Sequence, residues 1–393
     1  MPAILGTPRE TFPGERRVAM TPRQCDVLRK CGIEVIVEES AGVEAGFADQ
    51  LYVSRGVRIG SREDVFRAAD IVAQVRCLGA NPVAGRSDIS LLRPDQVLVG
   101  FGEPLTALNE CSDLAAAGVS FLAAELIPRI TRAQNMDALS SMATISGYRA
   151  VLLGASYLVK MFPMLITAAG TITPAKVFVL GAGIAGLQAI ATARRLGAVV
   201  CAYDVRPAVK EQVESVGAKF VTLNMESRSS EDKGGYARQM DEAFYRRQSQ
   251  LLAEVVREQD VVITTAAVPG QKAPVLITAD MVSSMPPGSV IVDLAAERGG
   301  NCELTQPDQV VVRNDVTILG PLNLPSMVPY HASQMFSANL TALVRYLAPD
   351  GRISLNLDDE IVRETLVTHK GRVVHPRIAD LLGSLQISGK VNV

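Results

Sequence analysis

Residues 176–204 read KVFVLGAGIAGLQAIATARRLGAVVCAYD, and this stretch decides the fold. An apolar run, KVFVL, leads into Gly181-Ala182-Gly183-Ile184-Ala185-Gly186; a helical segment from Ile184 to Leu196 follows, then a second apolar run that ends in Asp204. Strand, Gly-x-Gly-x-x-Gly turn, helix, strand and acid in that order form the fingerprint of a dinucleotide-binding βαβ unit. Gly181 permits the tight turn, Gly183 lets the backbone approach a pyrophosphate, and Gly186 lets helix and strand pack closely. The helix then presents unpaired N–H groups and the positive end of its dipole to the phosphates. Asp204 lies 18 residues beyond Gly186, where a carboxylate accepts ribose hydroxyls and repels a 2′-phosphate. NAD(H) is therefore expected over NADP(H), with Arg206 the one residue pulling the other way. The bland alternative is that the glycines only tighten a turn.

Working outward, the alternation continues through a helix over 207–216, a strand AKFVTL, a polar helix near 237–258, strand DVVITT (260–265), a helix over 279–285, strand SVIVDL (289–294) and a strand pair near 309–319. TTAAVPG (264–270) ends a strand on the same edge as the glycines; its small residues suit a cofactor lying across the backbone, and a plain strand-to-loop turn at Pro269-Gly270 explains them equally well. Upstream, IEVIVE (33–38), DIVAQV (70–75), QVLVGF (96–101) and VSFLAA (119–124) alternate with helical periods over 22–31 and 108–117, which implies a second parallel sheet. A long helical pattern runs from Thr131 to about Lys160 and breaks at Pro163. Residues 333–347 form one more amphipathic helix, and the remaining tail is too short for a domain of its own. The fold expected is α/β: two Rossmann-like doubly wound parallel-sheet lobes joined by long helices, the first lobe discontinuous. It comprises residues 1–137 plus 325–393, with the NAD(H)-binding domain at 138–324.

Composition narrows the function. The 393 residues carry 39 Lys plus Arg against 41 Asp plus Glu, a balance that gives no reason to expect a nucleic-acid partner. Six scattered cysteines without a CxxC pair and only three histidines argue for reduced thiols in a cytoplasmic protein and against a metal site. The apolar stretch 151–172 is interrupted by Lys160 and Pro163 and reads as a buried helix followed by a turn, short of the ~20 clean apolar residues a membrane span needs. MESRSSEDKGG (225–235) is polar enough for a mobile surface loop.

With Pro128-Arg129-Ile130-Thr131-Arg132-Ala133-Gln134-Asn135-Met136-Asp137, Gly234-Gly235-Tyr236-Ala237, GERRVAMTP (14–22), SGYRAV (146–151), KEQVESVGAKF (210–220), KAPVLIT (272–278), GGNC (299–302) and RVVHP (372–376), the chain resembles the NAD(H)-binding subunit of proton-translocating NAD(P) transhydrogenase. The likeness runs from about Gly6 to His375. It implies a two-lobed dimer docked on a membrane-embedded proton channel that carries an NADP(H)-binding domain, with hydride passing directly between the two nicotinamides. By that resemblance Arg129, Gln134 and Asp137, with Ser140 following, match the loop that orders the nicotinamide, and Gly235-Tyr236 match a lid closing over NAD(H). Gly181, Ala182, Gly183, Ile184, Gly186, Asp204, Val205, Arg206, Gly235, Gln248 and Ala267 make up the expected cofactor set. Read without the family, Arg129 and Asp137 could be a structural ion pair with Gln134 merely exposed, and Tyr236 a loop aromatic.

Hydride transfer between two nicotinamides moves no substrate proton, so orientation and water exclusion are needed rather than a general base. The main rival is an alanine dehydrogenase, which resembles this chain but uses a lysine and a histidine in the first lobe. The corresponding stretches here read Val75-Arg76-Cys77-Leu78 and Phe101-Gly102-Glu103-Pro104 and contain neither; a lysine that often stands near Arg76 in transhydrogenases is also missing. A non-catalytic NAD(H) sensor is the third reading, against which the Arg129/Gln134/Asp137 set argues. With no membrane segment before Val393, the channel and the NADP(H) domain are expected on separate polypeptides, with this subunit peripheral to the inner face of the plasma membrane.

Overall fold

The computed structural model describes residues 2–222, 242–268 and 270–387. It divides into two compact units, residues 1–142 with 326–393 and residues 143–325. The chain passes between them twice, within the helix Ala138–Tyr157 and in the short turn Leu324–Met327.

In the first unit β1 (Ile4–Thr7), β2 (Glu34–Glu38), β3 (Arg58–Gly60), β4 (Ile71–Arg76), β5 (Val97–Phe101) and β6 (Ser120–Ala123) lie parallel in the order β6-β5-β4-β1-β2-β3. Leu366–His369 adds antiparallel beside β6, and Arg372–Val373 beside that. The late residues thus complete the sheet begun by the first ones. The central strands are near-continuous apolar runs because helices cover both faces, which is the sequence habit of parallel sheets.

The second unit opens with a two-stranded hairpin, β7 (Leu165–Thr167) and β8 (Gly170–Ile172). Here the expected turn is an exposed ribbon instead: Gly170 takes a φ of 120°, the reversal only glycine makes freely, and Ile166 is 77% exposed. The main sheet follows: β9 (Lys176–Leu180), β10 (Val199–Tyr203), β11 (Lys219–Phe220), β12 (Val261–Thr264), β13 (Val290–Asp293), β14 (Val310–Arg313) and β15 (Val316–Leu319). Its order, β11-β10-β9-β12-β13-β15-β14, is parallel apart from β14. This is the doubly wound arrangement, and the strand order reverses between β9 and β12, where such folds open a crevice at the carboxyl ends of the strands.

One segment departs from the expected helix. Residues Thr131–Met136 form a tight 3-10 turn, and the regular helix starts only at Ala138. The cause is local: Asp137 accepts from the Ser140 N–H at 2.8 Å and from the Ser140 hydroxyl, the work of a helix-capping side chain. The turn itself is tied down by Asn339, whose Nδ2 donates to the Asn135 carbonyl at 2.9 Å. No helix among the described residues is long and apolar enough to cross a membrane.

Candidate functional site

At the carboxyl end of β9 the three glycines occupy three different environments. Gly181 has φ 98°, and a Cβ there would stand 2.6 Å from Thr265 Oγ1. A Cβ on Gly186 would collide with the Gly181 carbonyl, whereas one on Gly183 would meet nothing within 4 Å. The first and third glycines are therefore demanded by the protein's own packing. Gly183 borders open space beside the N-terminus of the helix Ile184–Arg195, which is where a ligand's phosphates need the backbone bare.

Asp204 ends the neighbouring strand with its carboxylate turned back on the turn: Ala182 N–H donates to Oδ2 at 2.7 Å. Arg206 grips the same carboxylate three times, through its backbone N–H (2.9 Å) and Nε (2.9 Å) to Oδ1 and Nη2 (2.8 Å) to Oδ2. Four donors fill the roughly four acceptor sites a carboxylate offers, so ribose hydroxyls reach Asp204 only as the guanidinium moves aside. Asp204, Val205, Arg206 and Gly181 to Gly186 thus come together. Ala267 follows β12 on the same edge. Gln248 is buried on the helix Glu242–Val256 and donates to the Tyr203 hydroxyl at 3.2 Å. Gly235 and Tyr236 lie outside the described residues.

Three contributors lie in stretches whose individual roles the sequence leaves open. Gly147, in SGYR, sits mid-helix, where glycine costs about 1 kcal/mol against alanine; a Cβ there would strike the Ala185 carbonyl, so it lets one helix backbone touch another beside the glycine turn. Thr265 Oγ1 donates to the Gly181 carbonyl at 2.9 Å. Asn301, in GGNC, bonds Ala266. The signals available were the glycine inside a helical pattern and the small residues of TTAAVPG on the glycine edge.

In the first unit Arg129 and Gln134 are exposed and Asp137 is half-buried around the 3-10 turn. The stretch GERRVAMTP supplies a buried ion cluster. Glu15 takes Arg17 Nε (2.7 Å) and Nη2 (2.6 Å) as a fork and Arg76 Nε at 3.1 Å. Burial pushes Glu15 up, but Arg17 and Arg76 outweigh it and hold the carboxylate at about 2. Arg76 also stacks over the Phe12 ring at 4.3 Å, so its guanidinium is held between that ring and the Glu15 carboxylate. Glu10 accepts from the Val75 and Arg76 N–H groups at 2.6 and 3.1 Å; burial and the negative Glu15 push it up to about 8.

At the ends of β5 and β6, Glu125 Oε1 accepts from the Gly102 and Glu103 N–H groups at 2.8 and 2.6 Å, while its buried Oε2 has no partner. Burial, with Glu103 adding to it, pushes this carboxyl from 4.5 up to about 7. A raised carboxyl favours the fold below its unfolded pKa, and the benefit is lost as pH rises through the folded value. Glu125→Gln keeps the acceptor and removes the titration. The variant is expected to gain about 3 kcal/mol over wild type at pH 8 and little at pH 4.5, read by denaturant unfolding at both values; equal differences at the two pH values would refute the assignment.

The chain matches the alanine dehydrogenase/PNT N-terminal domain over residues 6–146 and the alanine dehydrogenase/PNT C-terminal domain over residues 150–376. It is 46% identical over 377 residues to the NAD(P) transhydrogenase subunit alpha of Cereibacter sphaeroides, covering 95% of this chain and 71% of that one. To the first part of the NAD(P) transhydrogenase alpha subunit of Rhodospirillum rubrum it is 45% identical over 379 residues, covering 95% of this chain and 98% of the other. The crystal structure of transhydrogenase from Sinorhizobium meliloti superposes with a TM-score of 0.85 at 42% identity, covering 94% of this chain and 100% of that one. The chain therefore belongs to the alanine dehydrogenase/PNT family, alongside its NAD(P) transhydrogenase alpha subunits.

Proposed function

We propose that this chain is the soluble NAD(H)-binding subunit of a proton-translocating transhydrogenase, passing hydride directly between its own NADH and NADP+ held on a partner subunit. The observation that carries the reading is the glycine turn with Asp204: bare backbone at Gly183, a helix N-terminus, and a carboxylate at the end of the neighbouring strand beside that turn. Bound NADH supplies the hydride. The chain's own tasks are binding, orientation and exclusion of water.

In this reading the turn at Gly181 to Gly186 holds the pyrophosphate, and Asp204, released from Arg206, takes the adenosine ribose. Gln134 and Arg129 position the carboxamide and the ring. Asp137 holds Arg129 and, with Ser140 donating to it, the end of that loop. The proposed assembly is a homodimer, docked at the inner face of the membrane on subunits that carry the proton channel and the NADP(H) domain. Support for self-association lies in the exposed apolar residues Val159, Met164 and Ile166 on and beside the β7–β8 hairpin.

The test is hydride exchange from NADH to acetylpyridine adenine dinucleotide with and without an NADP(H)-loaded partner, with alanine, and pyruvate plus ammonia, as controls. Activity only with the partner, falling about tenfold or more in Gln134→Asn, is the expected result. Partner-independent alanine oxidation would make the chain an amino-acid dehydrogenase, and tight NADH binding without turnover would make it a sensor. Sedimentation of the same preparation reads the dimer, and a monomer would remove that part of the proposal.

A further inference from the structure

The segment that follows β12 leaves the sheet after Thr264, yet it does not hang free. On one side it meets the glycine turn: Thr265 N–H donates to the Leu180 carbonyl at 2.8 Å and Thr265 Oγ1 to the Gly181 carbonyl at 2.9 Å. On the other side it meets Asn301, which is wholly buried. The Asn301 carboxamide accepts the Ala266 N–H through Oδ1 at 3.0 Å, and its Nδ2 donates to the Ala266 carbonyl at 2.8 Å and to the Pro274 carbonyl at 2.9 Å. One side chain thus satisfies both backbone groups of Ala266, replacing the strand partner that the segment lost on leaving the ladder.

Asn301 is itself anchored. Its N–H donates to Asp293 Oδ2 at 2.7 Å, and the same oxygen accepts from the Cys302 N–H at 3.0 Å and the Thr305 hydroxyl at 2.7 Å. The other carboxylate oxygen takes the Thr264 hydroxyl at 2.9 Å and the Ala295 N–H at 3.0 Å. Asp293 is fully buried at the end of β13, and its five donors tie the ends of β12 and β13 to the Asn301 loop. An arrangement this costly to desolvate persists only when every member is satisfied.

We propose that Asn301 is a positioning residue for the dinucleotide: its carboxamide clasps Ala266 so that residues 264–266 stand preformed against the glycine turn, making one wall of the crevice between β9 and β12. This rests on the dinucleotide reading given above and assigns a task to the GGNC stretch that the reading left idle. A wall held in place before binding spares the ordering cost that a loose segment would incur when the ligand arrives.

The experiment titrates NADH fluorescence against the full-length chain and three variants, with unfolding measured in parallel. Asn301→Ala is expected to weaken NADH about tenfold. Thr265→Val, which keeps the shape and removes the hydroxyl, is expected to weaken it about fivefold with little change in unfolding midpoint. Val282→Ala, a buried apolar change in the same core cluster as Cys302, controls for lost stability and is expected to leave affinity within about twofold of wild type. Hydrogen exchange at the Thr265 and Ala266 amides should quicken in Asn301→Ala and not in Val282→Ala. Wild-type affinity in Asn301→Ala, or an equal loss in Val282→Ala, would overturn the role of Asn301 while leaving the dinucleotide reading in place. Failure of the wild-type chain to bind NADH would overturn that reading, and this inference with it.

Discussion

Gly186→Ala is expected to abolish measurable NADH binding, a loss of more than about 100-fold, or about 3 kcal/mol. The added methyl collides with the Gly181 carbonyl, a backbone atom that can give way only if the helix Ile184–Arg195 backs off from β9. That movement opens the turn and carries the helix N-terminus away from the phosphates. Gly183→Ala separates the two parts of the argument. Its Cβ meets nothing within 4 Å, and its φ of −72° suits any residue, so the fold should be as stable as wild type while affinity falls, because the methyl occupies space the pyrophosphate needs. Fluorescence titration with thermal unfolding on both variants reads the contrast. If both bound NADH as wild type does, the glycine turn would be a packing device and nothing more.

The second large effect lies in the first unit. Arg17→Met strips the bidentate guanidinium from Glu15 and leaves a buried carboxylate whose neighbouring cation is Arg76, with the residue-17 N–H and the Ser326 hydroxyl as neutral donors. Breaking a buried pair by deleting one member costs about 3–5 kcal/mol, most of it the penalty of the stranded charge. For a unit of this size that corresponds to a fall of about 6–12 °C or more in its unfolding midpoint. Glu15→Gln combined with Arg17→Met should lie closer to wild type than Arg17→Met alone, since the stranded charge has gone. An exposed pair such as Arg86–Asp113 provides the control and should cost less than about 1 kcal/mol. Because Glu15 titrates well below its ordinary range, its contribution is present above about pH 4.5 and fades only as pH falls toward 2. A loss of under 1 kcal/mol in Arg17→Met would show that the cluster is not coupled as its geometry indicates.

The local grammar of the second unit was readable without coordinates. Gly181, Gly183, Gly186 and Asp204 lie within 24 residues of one another, and their jobs follow from turn geometry, helix dipole and strand ends, all of which are short-range physics. The parallel sheets were likewise legible, because strands covered on both faces must be apolar throughout. The start of the helix Ala138–Tyr157 is not legible in the sequence: apolar periodicity continues back to Thr131, while the Asp137 side chain decides where the regular helix begins.

What the amino-acid order determined by itself was therefore the class of fold and the glycine turn, since those depend on neighbours along the chain. Tertiary structure alone decided the rest. Asn301 reaches Ala266 across 35 residues, Arg76 reaches Glu15 across 61, and Arg206 turns out to fill the acceptor sites of the very carboxylate expected to hold the ribose. A buried polar group must find its partner wherever the folded chain brings one, and that choice is made by the packing of the sheets rather than by any pattern a linear reading contains.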